Sequence, residues 1–326
     1  MSSGATNTLK FLLRLAVTTA LLAWVFRRID LGGLGQAVRE AQWVCLWPMW
    51  GLALVSYWLA SWKMAIILRR QDCPTPVFDL FGISAVTTLY GMVLPGFLDL
   101  SAKWYLLKRQ TGRGTNVLSS MVYNQFTTTL VVLVVGLAAV MSVTPPHRVL
   151  LRTACLLAVV LLLGLGLLVL HPTAGPRMTR TAGRWLGAAP AVIREPGRKI
   201  LEQLAVFQTT GWRFHFNALA LSLVANTVVG TIIYWLAARA AGIDVPVPFL
   251  FWLCTAIFIL GRLPISLAEF GVREATLVSG LALYGVPASA ALVMSMVIFT
   301  NRILLSAIGA GFQVHWAISD RGRSNH

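Results

Sequence analysis

The sequence predicts an all-α fold: a polytopic membrane helical bundle with about six full crossings and two re-entrant helical hairpins in an inverted repeat. Three observations carry this. Hydrophobic residues make up 57% of the 326 and charged residues 12%, about half the ~25% charge of a globular domain, so polar groups cannot cover a water-facing surface. Uncharged runs of the ~20 residues needed to cross a bilayer recur along the chain. Two further apolar regions are interrupted by a Leu-Pro pair, which frees backbone groups that lipid cannot satisfy.

Taken in order, the first crossing begins at Leu9, carries Lys10 and Arg14 near its start and runs to Phe26. No small-residue cleavage site follows it, so it reads as a retained helix. Ile29 to Gln42 suits an amphipathic interfacial helix with Leu31, Leu34, Val38 and Ala41 on one face. Ala41 to Trp62 is the second crossing. Phe78 to Leu107 is the first broken region, cut at Leu94-Pro95-Gly96. Gly114 to His147 and Thr153 to Pro176 are full crossings, as is Phe214 to Ala238 after a basic loop. Val247 to Leu283 is the second broken region, cut at Leu263-Pro264, and Ala288 to Ile318 is the last crossing. Each half of a broken region has only three or four helical turns, too few for a crossing, which is why both read as re-entrant.

The whole chain, 1–326, reads as one integral membrane domain with pseudo-repeat halves about 41–141 and 214–316. Beyond the prolines, Asp99 with Lys103 matches Glu269 with Arg273, an acid four residues before a base in each half. Orientation follows from the loop between Gly175 and Arg213, whose Arg177, Arg180, Arg184, Arg194, Arg198, Lys199 and Arg213 outweigh Glu195 and Glu202. The positive-inside rule makes it cytoplasmic and, counting outward, both termini as well. Arg27, Arg28 and Arg39 then fall outside, against that rule. The 27 Lys plus Arg against 11 Asp plus Glu give a net charge of +16, which on this chain belongs to membrane loops and not to a nucleic-acid partner. The four cysteines form no CxxC pair and the histidines no HExxH spacing, so neither metal nor cofactor is expected. Trp43, Trp47, Trp50 and Trp316 read as interfacial anchors. Gly164 with Gly166, and Gly309-Ala310-Gly311, read as points of close helix approach.

Ionisable groups at depth cost at least ~2.5 to 3.5 kcal/mol on insertion scales, so each must be paired, wet or functional. Arg302, preceded by Asn301, is the clearest case. Around the second break stand Arg262, Glu269, Arg273 and Glu274, with Ser266 and Glu269 at the spacing of a helix-capping box. In the first half Asp99 and Lys103 follow the break, and Asn124 and Gln125 point inward from the next helix. Read functionally, these ten residues line a polar cleft where arginines attract an anionic lipid headgroup. Read structurally, they are ion pairs and caps that fix packing. The expected geometry is Glu269 or Glu274 within salt-bridge reach of Arg302 or Arg262, lining a cavity.

The run Leu263-Pro264-Ile265-Ser266-Leu267-Ala268-Glu269-Phe270-Gly271-Val272-Arg273-Glu274-Ala275, followed by Leu283-Tyr284-Gly285-Val286-Pro287, resembles the flippase-like membrane domain of the lysylphosphatidylglycerol synthetase family. Arg273 and Glu274 match its motif well, Asp99 and Lys103 roughly. Glu269 stands where the family usually has Gly. The soluble synthetase domain is expected to be absent, since only Ser324, Asn325 and His326 follow Arg323. The resemblance implies a flippase of the bacterial inner membrane, moving a phospholipid or polyprenyl-linked lipid, with membrane lipid as substrate and a synthetase as a partner. Two other classes stay open: a membrane-embedded glycosyl or phospho-transferase, for which only Asp72 and Asp79 stand near the first break, and a non-transporting scaffold. A non-enzyme is the favoured expectation.

Overall fold

The computed structural model describes residues 39–93, 98–143, 149–187, 194, 195, 198, 202–261 and 271–323. After a 3₁₀ turn at Trp43–Cys45 come α1 Leu46–Arg69, α2 Val77–Val93, α3 Leu98–Thr111, α4 Gly114–Val143, α5 Val149–Leu170 and α6 Ala174–Gly187. The chain continues through α7 Trp212–Ser222, a π-helical segment Leu223–Val228, α8 Val229–Ala240, α9 Val247–Gly261, α10 Val272–Ala282 and α11 Ala288–Arg323. No strand occurs among the described residues.

Helices in these runs follow from the solvent, because in hydrocarbon every backbone N–H and C=O must bond within its own segment. Proline sets several starts. Pro48 lies in the first turn of α1, while Pro76 and Pro287 stand just before α2 and α11, where the missing N–H costs nothing. Among the described residues five helices are long and apolar enough to cross a membrane: Trp43–Arg69, Gly114–Val143, Leu150–Leu170, Trp212–Ala240 and Ala288–Trp316. These are the second to sixth crossings read from the sequence; the first, Leu9 to Phe26, lies outside the described residues, as does most of the interfacial segment. Each broken region appears as two short helices, α2 with α3 and α9 with α10. Pro95 and Pro264 themselves lie outside the described residues.

The uncharged run ends at Trp62, and the helix that carries it continues to Arg69. The intervening charge, Lys63, is 1% exposed, so it does not snorkel to the membrane surface. Its Nζ donates to the Asn124 carbonyl at 3.1 Å and to Thr128 Oγ1 at 2.9 Å. A charge supplied with acceptors by a neighbouring helix does not terminate a membrane helix.

The chain divides into two compact units. The first comprises Met1–Tyr57, Phe81–Lys103 and Val229–His326. In it α8, α9 and α11 pack on one another or on α10, and the Gln42 N–H donates to the Ala240 carbonyl at 2.8 Å. Trp50 Nε1 donates to Thr300 Oγ1 at 2.9 Å, tying α1 to α11. The second unit comprises Trp58–Leu80 and Trp104–Val228. Its core joins Ile67, Tyr123, Val169, Leu170, Leu204, Phe207, Phe214 and Ala218. Tyr123 stacks on Phe207 with centroids 4.3 Å apart and hydrogen-bonds His215 Nδ1 at 2.7 Å.

Candidate functional site

Within the first unit, α1, α8 and α11 enclose a groove of about 160 Å³, lined by Ala53, Ser56, Tyr57, Gly230, Ile233, Tyr234, Ile298, Asn301, Arg302 and Leu305. Ligand pockets for whole small molecules are typically ~300 Å³ or more, so this groove is smaller than such a pocket. Helical spacing assembles it. Ile298, Asn301, Arg302 and Leu305 recur at three- and four-residue intervals and share one face of α11. Gly230 leaves its wall open, since a Cβ there would meet nothing within 4 Å. Gly230 also lies two residues past the π-helical segment Leu223–Val228, a wide turn that recurs at functional sites.

Arg302 falls midway along the 29-residue span Ala288–Trp316, where a lipid-facing cation is most costly. It is half-buried and stands among the residues that line the groove. Asn301 is 8% exposed, and its Oδ1 is buried with no hydrogen-bond partner. A buried amide oxygen left so costs ~1 to 3 kcal/mol.

One to two turns earlier on α11 a second polar cluster is closed. Glu274 Oε1 accepts from Arg273 Nη2 at 2.6 Å, from Arg273 Nε at 3.1 Å and from Ser295 Oγ at 2.8 Å. Its Oε2 accepts from the Gly271 N–H at 2.8 Å, the helix-start bond of α10. Arg273 also donates to Ser295 Oγ at 3.1 Å and lies over the Phe299 ring, 5.5 Å from its centroid. Gly271 has φ 80, a conformation that only glycine adopts without strain. Both charges are nearly sealed, with side chains 7% and 10% exposed. The carboxylate's lone pairs are taken up by protein donors, so this pair fastens α10 to α11.

Glu274, expected within reach of Arg302 or Arg262, pairs with its own neighbour Arg273. Arg262 and Glu269, with the capping box at Ser266, lie outside the described residues. Asp99 is in the first turn of α3, and only its backbone is described. Lys103, on α3, donates from Nζ to Ser84 Oγ at 3.1 Å. Asn124 and Gln125 belong to the second unit. Asn124 offers its carbonyl to Lys63, whereas Gln125 is exposed and donates to Thr129 Oγ1 at 3.0 Å. Gln125 thus faces outward from its helix, and bonding one turn along that helix satisfies its amide at the surface. Sequence reasoning missed Lys63, because a charge was taken as the end of a run, and missed Ser56, Tyr57, Ser84 and Thr88, because isolated hydroxyls in apolar helices carry no motif.

Among known families, the model described as the lysylphosphatidylglycerol synthase TM region matches residues 11–309. The chain belongs to this family. No curated protein and no solved structure gives a significant match. In this member of the lysylphosphatidylglycerol synthase TM-region family, the Gly271-Val272-Arg273-Glu274 segment that carries the resemblance is the closed cluster. The groove's Asn301 and Arg302 stand outside that segment.

Proposed function

We propose that the protein moves an amphipathic lipid across the bacterial inner membrane, its anionic headgroup passing through the Arg302 groove while the acyl chains stay in the bilayer. The observation that carries this reading is a guanidinium and an unpartnered buried acceptor, on adjacent residues at mid-span that line a groove of about 160 Å³. Arginine offers phosphate a planar fork of donors, and Asn301 Oδ1 offers an acceptor to a headgroup hydroxyl. The two broken regions act as re-entrant hairpins of an inverted repeat, entering from opposite faces, with both termini in the cytoplasm. Alternating exposure of the groove follows from rocking of one half against the other. The Arg273–Glu274 pair holds α10 and α11 in register during that movement. The family membership and the membrane-length helices support the reading.

The test is translocation of fluorescent phosphatidylglycerol in liposomes that contain the purified protein. The wild type accelerates flipping, and Arg302→Gln lowers the rate about tenfold, the equivalent of ~1.4 kcal/mol. Failure of the wild type to move any lipid class tested overturns the proposal.

A further inference from the structure

The groove is one end of a line of polar groups. Tyr57, in its wall, places its hydroxyl 3.4 Å from Thr88 Oγ1 on α2. Thr88 Oγ1 donates to the Ser84 carbonyl at 2.9 Å, and Ser84 Oγ accepts from Lys103 Nζ at 3.1 Å. Ser84 and Thr88 are four residues apart, hence stacked on one helix face and separated by ~6 Å of rise. All four residues are half-buried and all belong to the first unit. The line therefore runs from the groove wall, which Tyr57 shares with Arg302, to the cation of Lys103 by way of the Thr88 and Ser84 hydroxyls and the Ser84 carbonyl. Lys103 precedes by five residues the Lys108 and Arg109 of the last turn of α3, which the positive-inside rule places at the cytoplasmic rim.

We infer that Lys103 is a second station for the anionic lipid headgroup, and that the hydroxyls of Ser84, Thr88 and Tyr57 form the path between it and the Arg302 groove. The inference rests on the transport reading above. A hydroxyl rotates to donate or accept, so it replaces a water of the headgroup's hydration shell without holding the anion. Conduction needs sites strong enough to admit a charge and weak enough to release it. Cations at both ends with neutral groups between them meet that need.

The experiment measures thiol reactivity, which does not depend on transport. In a background with the four native cysteines replaced, Ser84→Cys and Thr88→Cys are each treated with an anionic and a cationic methanethiosulfonate reagent. Both positions react, the anionic reagent is preferred, and adding Lys103→Gln lowers that preference at least about tenfold, since removal of a charge at ~6 Å in a medium of intermediate dielectric is worth more than the tenfold equivalent. Unreactive thiols, or a preference unmoved by Lys103→Gln, overturn the path. The ligand is assigned by protection: vesicles of phosphatidylglycerol slow the reaction, whereas protection by inorganic phosphate alone overturns the lipid assignment. In the translocation assay, Ser84→Ala with Thr88→Val slows flipping while Arg302 remains in place; an unchanged rate overturns the path. A charge-selective, lipid-protected track in a protein that moves no lipid would sink the transport reading while leaving a headgroup-binding line in place.

Discussion

Asn301 and Arg302 are adjacent in the chain, yet the sequence exposes them unequally. Arg302 is legible because a lone charge interrupts a long apolar run. Asn301 Oδ1 is an unpaired acceptor only because of how α11 packs, which no spacing encodes. Filling the groove tests it without touching a charge. Gly230→Phe enters open space, so we expect flipping to fall at least about tenfold with the thermal unfolding midpoint in detergent nearly unchanged, since exposed substitutions away from packed contacts usually cost within ~0.5 kcal/mol. The Arg273–Glu274 cluster behaves oppositely. Glu274→Gln or Arg273→Met alone strands a buried charge and costs ~3 to 5 kcal/mol, while the two together recover most of that stability. A double-mutant cycle by thermal unfolding checks this, and additive losses would refute the pair's closure.

At the scale of helices, the glycines that read alike in sequence divide in structure. A Cβ on Gly309 would strike the Ala85 carbonyl and come within 2.8 Å of the Val86 nitrogen, whereas one on Gly311 meets nothing within 4 Å. Likewise Gly166 abuts Leu130 and Gly164 faces open space. Small residues mark a contact, but only the helix rotation says which of two neighbours makes it. Gly309→Val is therefore expected to lower stability by at least ~1 to 3 kcal/mol through overpacking against backbone, and Gly311→Ala to leave it unchanged or raise it by up to ~1 kcal/mol. Thermal unfolding of the two variants side by side gives the comparison. Helix existence was legible at the five membrane-length helices, because hydropathy at bilayer length dictates it, and not at α6 Ala174–Gly187, which read as a basic loop because its residues are too polar to mark a crossing. The burial of Lys63 inside α1 was not legible, since its acceptors, the Asn124 carbonyl and Thr128 Oγ1, come from another helix.

For the whole molecule, the asymmetry of basic residues sets which way the chain lies. Gln110 and Arg180 belong to the faces assigned to the cytoplasm, and Asp244, with its side chain 85% exposed, to the opposite face. In sealed cells a membrane-impermeant maleimide should modify Asp244→Cys and spare Gln110→Cys and Arg180→Cys; modification at 180 reverses the orientation. Cys73, just beyond α1, is 2% exposed, and burial holds its thiol above its ordinary pKa. Alkylation at pH 8 should accordingly leave it unmodified until the protein is denatured, because the thiolate is the reacting form.

The bonds of Lys63 also bear on how the molecule is made. On leaving the ribosome, α1 carries a cation six residues from its end at Arg69; insertion there is still penalised, though by less than the ~2.5 to 3.5 kcal/mol of a helix centre. Its acceptors, the Asn124 carbonyl and Thr128 Oγ1, are some 60 residues downstream and at ~5 to 20 residues per second arrive seconds later. Until then α1 must wait in the insertion machinery or at the membrane surface. The order of synthesis thus sets an order of assembly, in which α4 admits the helix that preceded it.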